Sequence, residues 1–240
     1  MLEIRDLHSG YGRVPVLRGI SLTVATGELV LVLGANGAGK STLLRTVAGF
    51  LKPYQGSVLL DGQDVTGQSP EDIVHRGMRL VLDGHRVFPE LSVADNIRLG
   101  AAIAGEKGMF AEKREQVLDM FPVLREKLRQ QARDLSGGQQ QMLALAQAFV
   151  SQPKMLLVDE PSLGLAQMLI PPILAFLRQW ATQGTAILIV EQQIDIALSV
   201  ADRAVVIERG EVKLSGTAAE LKANERVREI YLGVTGVTAA

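Results

Sequence analysis

The chain has 240 residues, of which 47% are hydrophobic and 21% charged, and its formal net charge is −1. This composition predicts a sizeable buried core and excludes a disordered chain, while the near-neutral charge argues against nucleic acid as a partner. Cysteine is absent, which excludes a disulfide framework and thiol chemistry. We find no signal-peptide pattern and no apolar run of the roughly 20 residues that a membrane span needs, so we expect a soluble protein.

Apolar and polar residues alternate near both ends of the first 24 residues. Leu2 and Ile4 have polar neighbours, and so do Leu22 and Val24. A period of two predicts half-buried antiparallel strands in this region. Tyr11 lies in the loop between them, and on its own it is best interpreted as an aromatic residue packing on the sheet edge.

A phosphate-binding loop is predicted directly after the next apolar run. Residues 29–33 are uninterrupted apolar residues, which is typical of a strand buried on both faces. Residues 34–41, GANGAGKS, then match the pattern G-x-x-x-x-G-K-[ST] at every fixed position, and we expect a helix over residues 40–50. Backbone N–H groups of such a loop surround phosphate oxygens, Lys40 reaches the outer phosphates, and Ser41 ligates Mg²⁺. The residues predicted to bind the nucleoside triphosphate here are Gly34, Ala35, Asn36, Gly37, Ala38, Gly39, Lys40, Ser41 and Thr42.

Short alternating elements follow the phosphate loop. Residues 57–60 and 80–82 are predicted strands, and Ser69 with Pro70 marks a helix start between them. From about residue 85 the pattern becomes helical, with Ser92 as a helix cap and a charged, periodic stretch at 111–130 that Pro122 interrupts. We interpret this segment as a helical subdomain inserted into the nucleotide-binding core. The predicted divisions are a single domain, 1–235, made of a core (1–84 and 151–235) and the helical subdomain (85–150), followed by a tail (236–240).

A second apolar strand ends in two acids. The run before Asp159 and Glu160 is apolar, and in phosphate-loop enzymes an aspartate at this position holds Mg²⁺. Glu160 is placed to polarise a water that attacks the terminal phosphate. Two exposed acids at a strand end would be the simpler interpretation, but the phosphate loop upstream favours the catalytic one. Further along we predict a helix that begins near Pro171, a buried strand at 186–190, a hairpin around Arg209-Gly210, and a helix capped by Thr217.

Residues 135–139, LSGGQ, precede a helical stretch that leads into the Asp159 strand. The order phosphate loop, LSGGQ, acidic strand end resembles the ABC transporter ATPases over nearly the whole chain. The resemblance implies an α/β fold: a P-loop NTPase core with a mostly parallel sheet, an N-terminal antiparallel β subdomain and an inserted helical subdomain. It also implies ATP and Mg²⁺ as ligands and a second ATPase subunit as partner, whose ATP is contacted by the signature residues Ser136, Gly137, Gly138 and Gln139.

The resemblance assigns roles to single residues. Tyr11 matches the aromatic that stacks on adenine, which replaces the simpler interpretation above, and Val16 lines the same pocket. Asp83 stands where many relatives have a glutamine that senses Mg²⁺ and the attacking water. Gln192 stands where many have a histidine that contacts the γ-phosphate. The expected catalytic set is Glu160, Lys40, Gln192 and Asp83, and the expected metal ligands are Ser41, Asp159 and Asp83.

Several stretches, among them RVFPELSVADNI, DEPSLGLA and VEQQ, resemble the ATP-binding subunits of branched-chain amino acid importers. The urea and short-chain amide importers are very similar, so both substrate classes stay open. The resemblance implies transmembrane permease subunits, an external solute-binding protein and a place on the cytoplasmic face of the membrane. It leaves open whether the ATPase pair is a homodimer or a mixed pair. Two different functions also stay open: a nucleotide-binding regulatory subunit with little turnover, and a soluble ABC ATPase of repair or translation.

Overall fold

The computed structural model describes residues 1–82, 84, 87–102 and 109–232. Within them, ten strands form two sheets. The strands are β1 (Leu2–Tyr11), β2 (Val14–Val24), β3 (Leu29–Leu33), β4 (Gln55–Leu60), β5 (Gln63–Asp64), β6 (Met78–Val81), β7 (Met155–Asp159), β8 (Ala186–Val190), β9 (Arg203–Glu208) and β10 (Glu211–Thr217).

Ten α-helices lie in the described part of the chain, and two 3₁₀ turns precede α6 and α7. The helices are α1 (Lys40–Val47), α2 (Pro70–His75), α3 (Val93–Ala102), α4 (Phe110–Met120), α5 (Pro122–Glu126), α6 (Gly137–Val150), α7 (Ile170–Thr182), α8 (Ile194–Leu198), α9 (Ala218–Ala223) and α10 (Glu225–Leu232).

The larger sheet has the strand order β10-β9-β3-β8-β7-β6. All neighbours in it pair in parallel except β9 and β10, which form the predicted hairpin. The smaller sheet, β2-β1-β4-β5, is antiparallel, as the alternation near the N-terminus predicts. The predicted mixed α/β architecture is therefore confirmed.

The parallel sheet separates two buried cores. Leu29, Leu31 and Leu33 of β3 face a core shared with the helices α3 to α7, while Val30 and Val32 face a core shared with the antiparallel sheet and α1. Both faces of the strand are buried because a parallel sheet is covered on each side, which explains why the run carries no polar residue. The strands that lead to the candidate site residues, β3, β7 and β8, contribute side chains to both cores.

Most element boundaries agree with the sequence, and two differ. The helix expected over residues 40–50 ends at Val47, since Gly49 adopts φ +82, outside the helical region. Tyr11, expected in a loop, is instead the last residue of β1 and pairs with Val14. The charged stretch breaks into α4 and α5 at Pro122, as the sequence predicts, because proline has no backbone N–H to donate. The segment between β6 and β7 holds α3 to α6, in keeping with the helical subdomain, whose bounds stay a prediction. No helix among the described residues is both long and apolar enough to span a membrane.

Candidate functional site

The phosphate loop connects the carboxyl end of β3 to α1. Gly37 and Gly39 adopt φ values of +79 and +110, a region that side-chain-bearing residues rarely adopt. A Cβ on Gly34 would lie 2.3 Å from the backbone oxygen of Ile207, so a larger residue does not fit against β9. These constraints give the loop its tight curvature and leave Asn36 and Gly37 exposed at the mouth of a cavity.

Lys40 extends its side chain back under the loop. It is 4% exposed, and its Nζ donates to the backbone oxygens of Gly34 at 2.8 Å and Ala35 at 3.2 Å. Its Nζ also lies 3.7 Å from Oε1 of Glu160. Burial lowers the pKa of Lys40, and the negative charges of Glu160, Asp159 and Glu191 oppose that effect. The ammonium group is thus held at the place where an anionic ligand of the loop would arrive.

Ser41 and Asp159 bring two side-chain oxygen groups together from positions far apart in the chain. The Ser41 hydroxyl donates to Oδ1 of Asp159 over 3.1 Å, and Asp159 is buried at the end of β7. Hydroxyl and carboxylate oxygens suit Mg²⁺, which keeps several waters and takes one or two protein ligands beside substrate phosphates. Among the described residues no group of three or more His, Cys, Asp and Glu forms an all-protein metal site. The donor set therefore fits a magnesium ion that needs phosphate to complete its coordination.

Glu160 and Gln192 meet at the ends of neighbouring parallel strands. The Gln192 side chain donates from Nε2 to Oε2 of Glu160 over 2.6 Å. Glu160 adopts φ +45, which is uncommon for a residue with a side chain and costs about 1–3 kcal/mol unless the surroundings hold it. Its carboxylate is therefore fixed between a cation, Lys40, and a neutral amide donor.

The loop and these side chains line one cavity of about 480 Å³. Tyr11 stands at its rim with 45% of its surface exposed, and its hydroxyl accepts a 3.3 Å hydrogen bond from Nη1 of Arg45. Gly34, Ala35 and Ala38, which the sequence also assigned to the site, do not line the cavity. The residues that line the cavity are Tyr11, Val16, Asn36, Gly37, Gly39, Lys40, Ser41, Thr42, Glu160 and Gln192.

The signature residues lie apart from this cavity, at the N-terminus of α6. The Ser136 side chain accepts from the backbone N–H of Gln139, and the Gln139 side chain accepts from the N–H of Ser136, which is a complete capping box. Gly137 opens the helix, and a Cβ on Gly138 would lie 2.4 Å from Cδ1 of Leu169. None of these four residues lines the cavity of their own chain.

The prediction for Asp83 concerns a position outside the described residues. Sequence reasoning also missed a contribution from Glu191, which is buried and accepts hydrogen bonds from Ser162 and from the backbone of Gln192. A signal was available: Glu191 follows the wholly apolar β8, much as Asp159 ends the wholly apolar β7. Acids at the carboxyl ends of two apolar parallel strands are expected to lie close together.

Comparison with known proteins gives one consistent family. A family model described as "ABC transporter" matches residues 17–163. The chain is 40% identical over 233 residues to the high-affinity branched-chain amino acid transport ATP-binding protein BraG of Pseudomonas aeruginosa, covering 97% of this chain and 100% of BraG. It is 32% identical to the probable branched-chain amino acid transport ATP-binding protein LivF of Archaeoglobus fulgidus, with 98% and 99% covered. The ADP conformation of MJ1267, an ATP-binding cassette of an ABC transporter, superposes with a TM-score of 0.85 at 27% identity over 97% of this chain and 98% of that one.

Proposed function

The chain belongs to the ABC transporter family as an ATP-binding, ATP-hydrolysing member, and from this premise we propose that it energises an importer of branched-chain amino acids. The observation that carries the proposal is the convergence of Lys40, Glu160 and Gln192 on one cavity beside Ser41 and Asp159. A cation, a carboxylate and an amide donor at a phosphate loop suit phosphoryl transfer to water. The similarity to BraG and LivF supports the choice of solute.

In the proposed reaction Glu160 orients the attacking water and accepts its proton. Lys40 stabilises the charge on the outer phosphates from below the loop. Gln192 holds the Glu160 carboxylate through its side-chain amide, and an amide N–H at this position is a suitable donor to a γ-phosphate oxygen. Ser41 and Asp159 would hold Mg²⁺, which supplies positive charge to the phosphates. Tyr11 offers its exposed ring to the adenine, with Val16 beside it.

The signature residues are proposed to serve a second ATPase subunit. Ser136 caps α6 with its hydroxyl, and Gly138 lies in the first turn, where the backbone N–H groups of a helix favour an anion. Because they do not line the cavity of their own chain, their phosphate would be the one bound by the partner's loop. Either a second copy or a related chain satisfies this requirement.

The remaining partners follow from membership in an importer. We place the chain on the cytoplasmic face of the membrane, attached to permease subunits and linked through them to an external solute-binding protein. A groove of about 230 Å³ between β6 and the helices α3 and α6 suits the permease contact. Phe88, 55% exposed, and Leu99 line it and offer apolar surface to such a contact.

The test is the ATPase rate of the chain assembled with its permease subunits in vesicles, with solute-binding protein added. We expect leucine, isoleucine or valine to stimulate hydrolysis and urea to leave it unchanged. Glu160→Gln should retain ATP affinity, lose most turnover and accumulate the ATP-bound pair, whereas Glu71→Gln, at an exposed carboxylate in α2, serves as the matched control. Stimulation by urea alone would instead assign the chain to a urea or short-chain amide importer. No hydrolysis in the complete assembly would favour a regulatory subunit, and full turnover of Glu160→Gln would exclude Glu160 as the base.

A further inference from the structure

Glu191 is a buried carboxylate for which the proposed reaction provides no role. It is 1% exposed and lies directly after β8. Its Oε1 accepts from the backbone N–H of Ser162 at 2.9 Å. Its Oε2 accepts from the Ser162 hydroxyl at 2.7 Å and from the backbone N–H of Gln192 at 3.0 Å. One side chain therefore ties the chain beyond β7 to the chain beyond β8.

The two segments that Glu191 joins carry Glu160 and Gln192, which line the cavity. Ser162 follows Glu160 by two residues, and Gln192 follows Glu191 directly. The Glu160 backbone is in the left-handed region at φ +45 and is also held by its N–H donating to the Val190 oxygen at 2.9 Å. A strained backbone of this kind persists when several contacts determine it together. The Glu191–Ser162 contact is one of these contacts.

We propose, resting on the proposed function, that Glu191 is a positioning residue for ATP hydrolysis: by binding Ser162 and the Gln192 backbone it fixes Glu160 and Gln192 relative to each other. The 2.6 Å hydrogen bond between Gln192 and Glu160 depends on that fixed separation. Glu191 itself does not line the cavity. Its effect reaches the reaction through the backbone on either side of it.

Glu191 also carries a negative charge, and the test must separate the effect of this charge from that of the hydrogen bonds. Burial raises the pKa of Glu191, and hydrogen bonds from the Ser162 hydroxyl and from backbone N–H groups counteract this. The same negative charge raises the pKa of Lys40. Glu191→Gln removes the charge as well as an acceptor, whereas Ser162→Ala removes a hydroxyl and leaves the charge in place.

The experiment compares wild type, Glu191→Gln, Ser162→Ala and the double variant in the assembled complex. We expect kcat to fall about tenfold or more in Glu191→Gln, and about threefold or more in Ser162→Ala, because each weakens the contact that fixes Glu160. ATP affinity by calorimetry should stay within about threefold of wild type, since no phosphate contact is removed. The kcat of the double variant should be about equal to that of Glu191→Gln, as expected for two residues that act as one unit.

Thr185→Val is the matched control, because Thr185 makes the equivalent cross-link at the opposite end of β8. Its hydroxyl donates to the Pro153 oxygen at 3.1 Å, so its loss should lower the melting temperature and leave kcat unchanged. Hydrogen exchange of the Ser162 amide, measured without turnover, should be faster in Glu191→Gln than in Thr185→Val. Should Glu191→Gln fail to fold, Ser162→Ala decides the question alone.

The outcomes separate this inference from the proposed function. Wild-type kcat in Ser162→Ala, or in Glu191→Gln, overturns the positioning role while hydrolysis by the wild type still stands. A fall in kcat accompanied by an equal fall in Thr185→Val also overturns it, since general loosening of the sheet would then be sufficient. Absence of hydrolysis in the wild-type assembly refutes the proposed function. In that case hydrogen exchange still tests the Glu191–Ser162 contact: an exchange rate of the Ser162 amide that is the same in Glu191→Gln as in wild type refutes it.

Discussion

Replacing Gln192 by alanine tests the contact that brings together the ends of β7 and β8 at the cavity. The amide nitrogen of Gln192 lies 2.6 Å from the Glu160 carboxylate, and the hydrogen bond is partly buried. Alanine removes the donor and leaves the Glu160 carboxylate with Lys40, whose Nζ is 3.7 Å away. We expect the carboxylate to turn towards that cation and away from the water it would activate.

The size of the effect follows from the type of hydrogen bond. A hydrogen bond to a charged group contributes about 1.5–3 kcal/mol, and this one has a charged acceptor in a partly buried place. Because each 1.36 kcal/mol in the barrier changes a rate tenfold, kcat should fall roughly ten- to a hundredfold if the contact holds Glu160 in the transition state. Gln192→His should keep most of the activity, since an imidazole N–H can also donate.

The assay is steady-state ATP hydrolysis by the assembled complex at saturating ATP. Gln193→Ala is the matched control, because Gln193 carries the same amide one residue further on and its side chain does not cap the helix α8. We expect Gln193→Ala to hydrolyse ATP at the wild-type rate. Equal rates for Gln192→Ala, Gln192→His and wild type would refute the reasoning and leave Gln192 as a bystander at the strand end.

Two further substitutions test the residues that are proposed to contact the outer phosphates and the adenine of ATP. Lys40→Ala should weaken ATP binding about tenfold or more, because it removes a charge that two loop carbonyls hold and that is proposed to face the outer phosphates. Unchanged affinity by calorimetry would exclude Lys40 from the site. Tyr11→Ala should weaken ATP binding by about 1–3 kcal/mol through lost stacking, whereas Tyr11→Phe, which loses only the exposed 3.3 Å contact with Arg45, should bind as wild type. Equal titration curves for the two Tyr11 variants would contradict the stacking role.

The chain's local patterns were sufficient for most of the fold. The buried strand predicted at residues 186–190 is β8, and the break predicted at Pro122 separates α4 from α5. The capping box at Thr217 and the cap at Ser69 are both present. These features depend on neighbours within a few residues, so a sequence window contains the physics that produces them. The end of α1 was predicted three residues late, because the helix stops before Gly49, which has a positive φ and lies so close to the Gln68 oxygen that a Cβ would come within 2.4 Å of it.

The candidate site also has one part that the local sequence predicts and one part that it does not. The loop at residues 34–41 is local, and its chemistry could be predicted from residue types and spacing. The Glu160–Gln192 and Ser41–Asp159 contacts join residues 32 and 118 positions apart. The sequence supplied the residues, and the family resemblance supplied expected roles, but neither contained the distances.

The sequence by itself determined the phosphate loop, the signature, the acidic strand ends and the alternation of elements, since each is written in adjacent residues. Only the tertiary structure decided that Gln192 donates to Glu160, and that Glu191 binds Ser162 rather than facing the cavity. The physical reason is the strand order β3-β8-β7, which places the carboxyl ends of three strands side by side although long crossovers separate them in the chain. Which strands pair depends on how the buried faces of the whole sheet pack, so it is a non-local property of the chain. The contacts at the strand ends follow from that pairing.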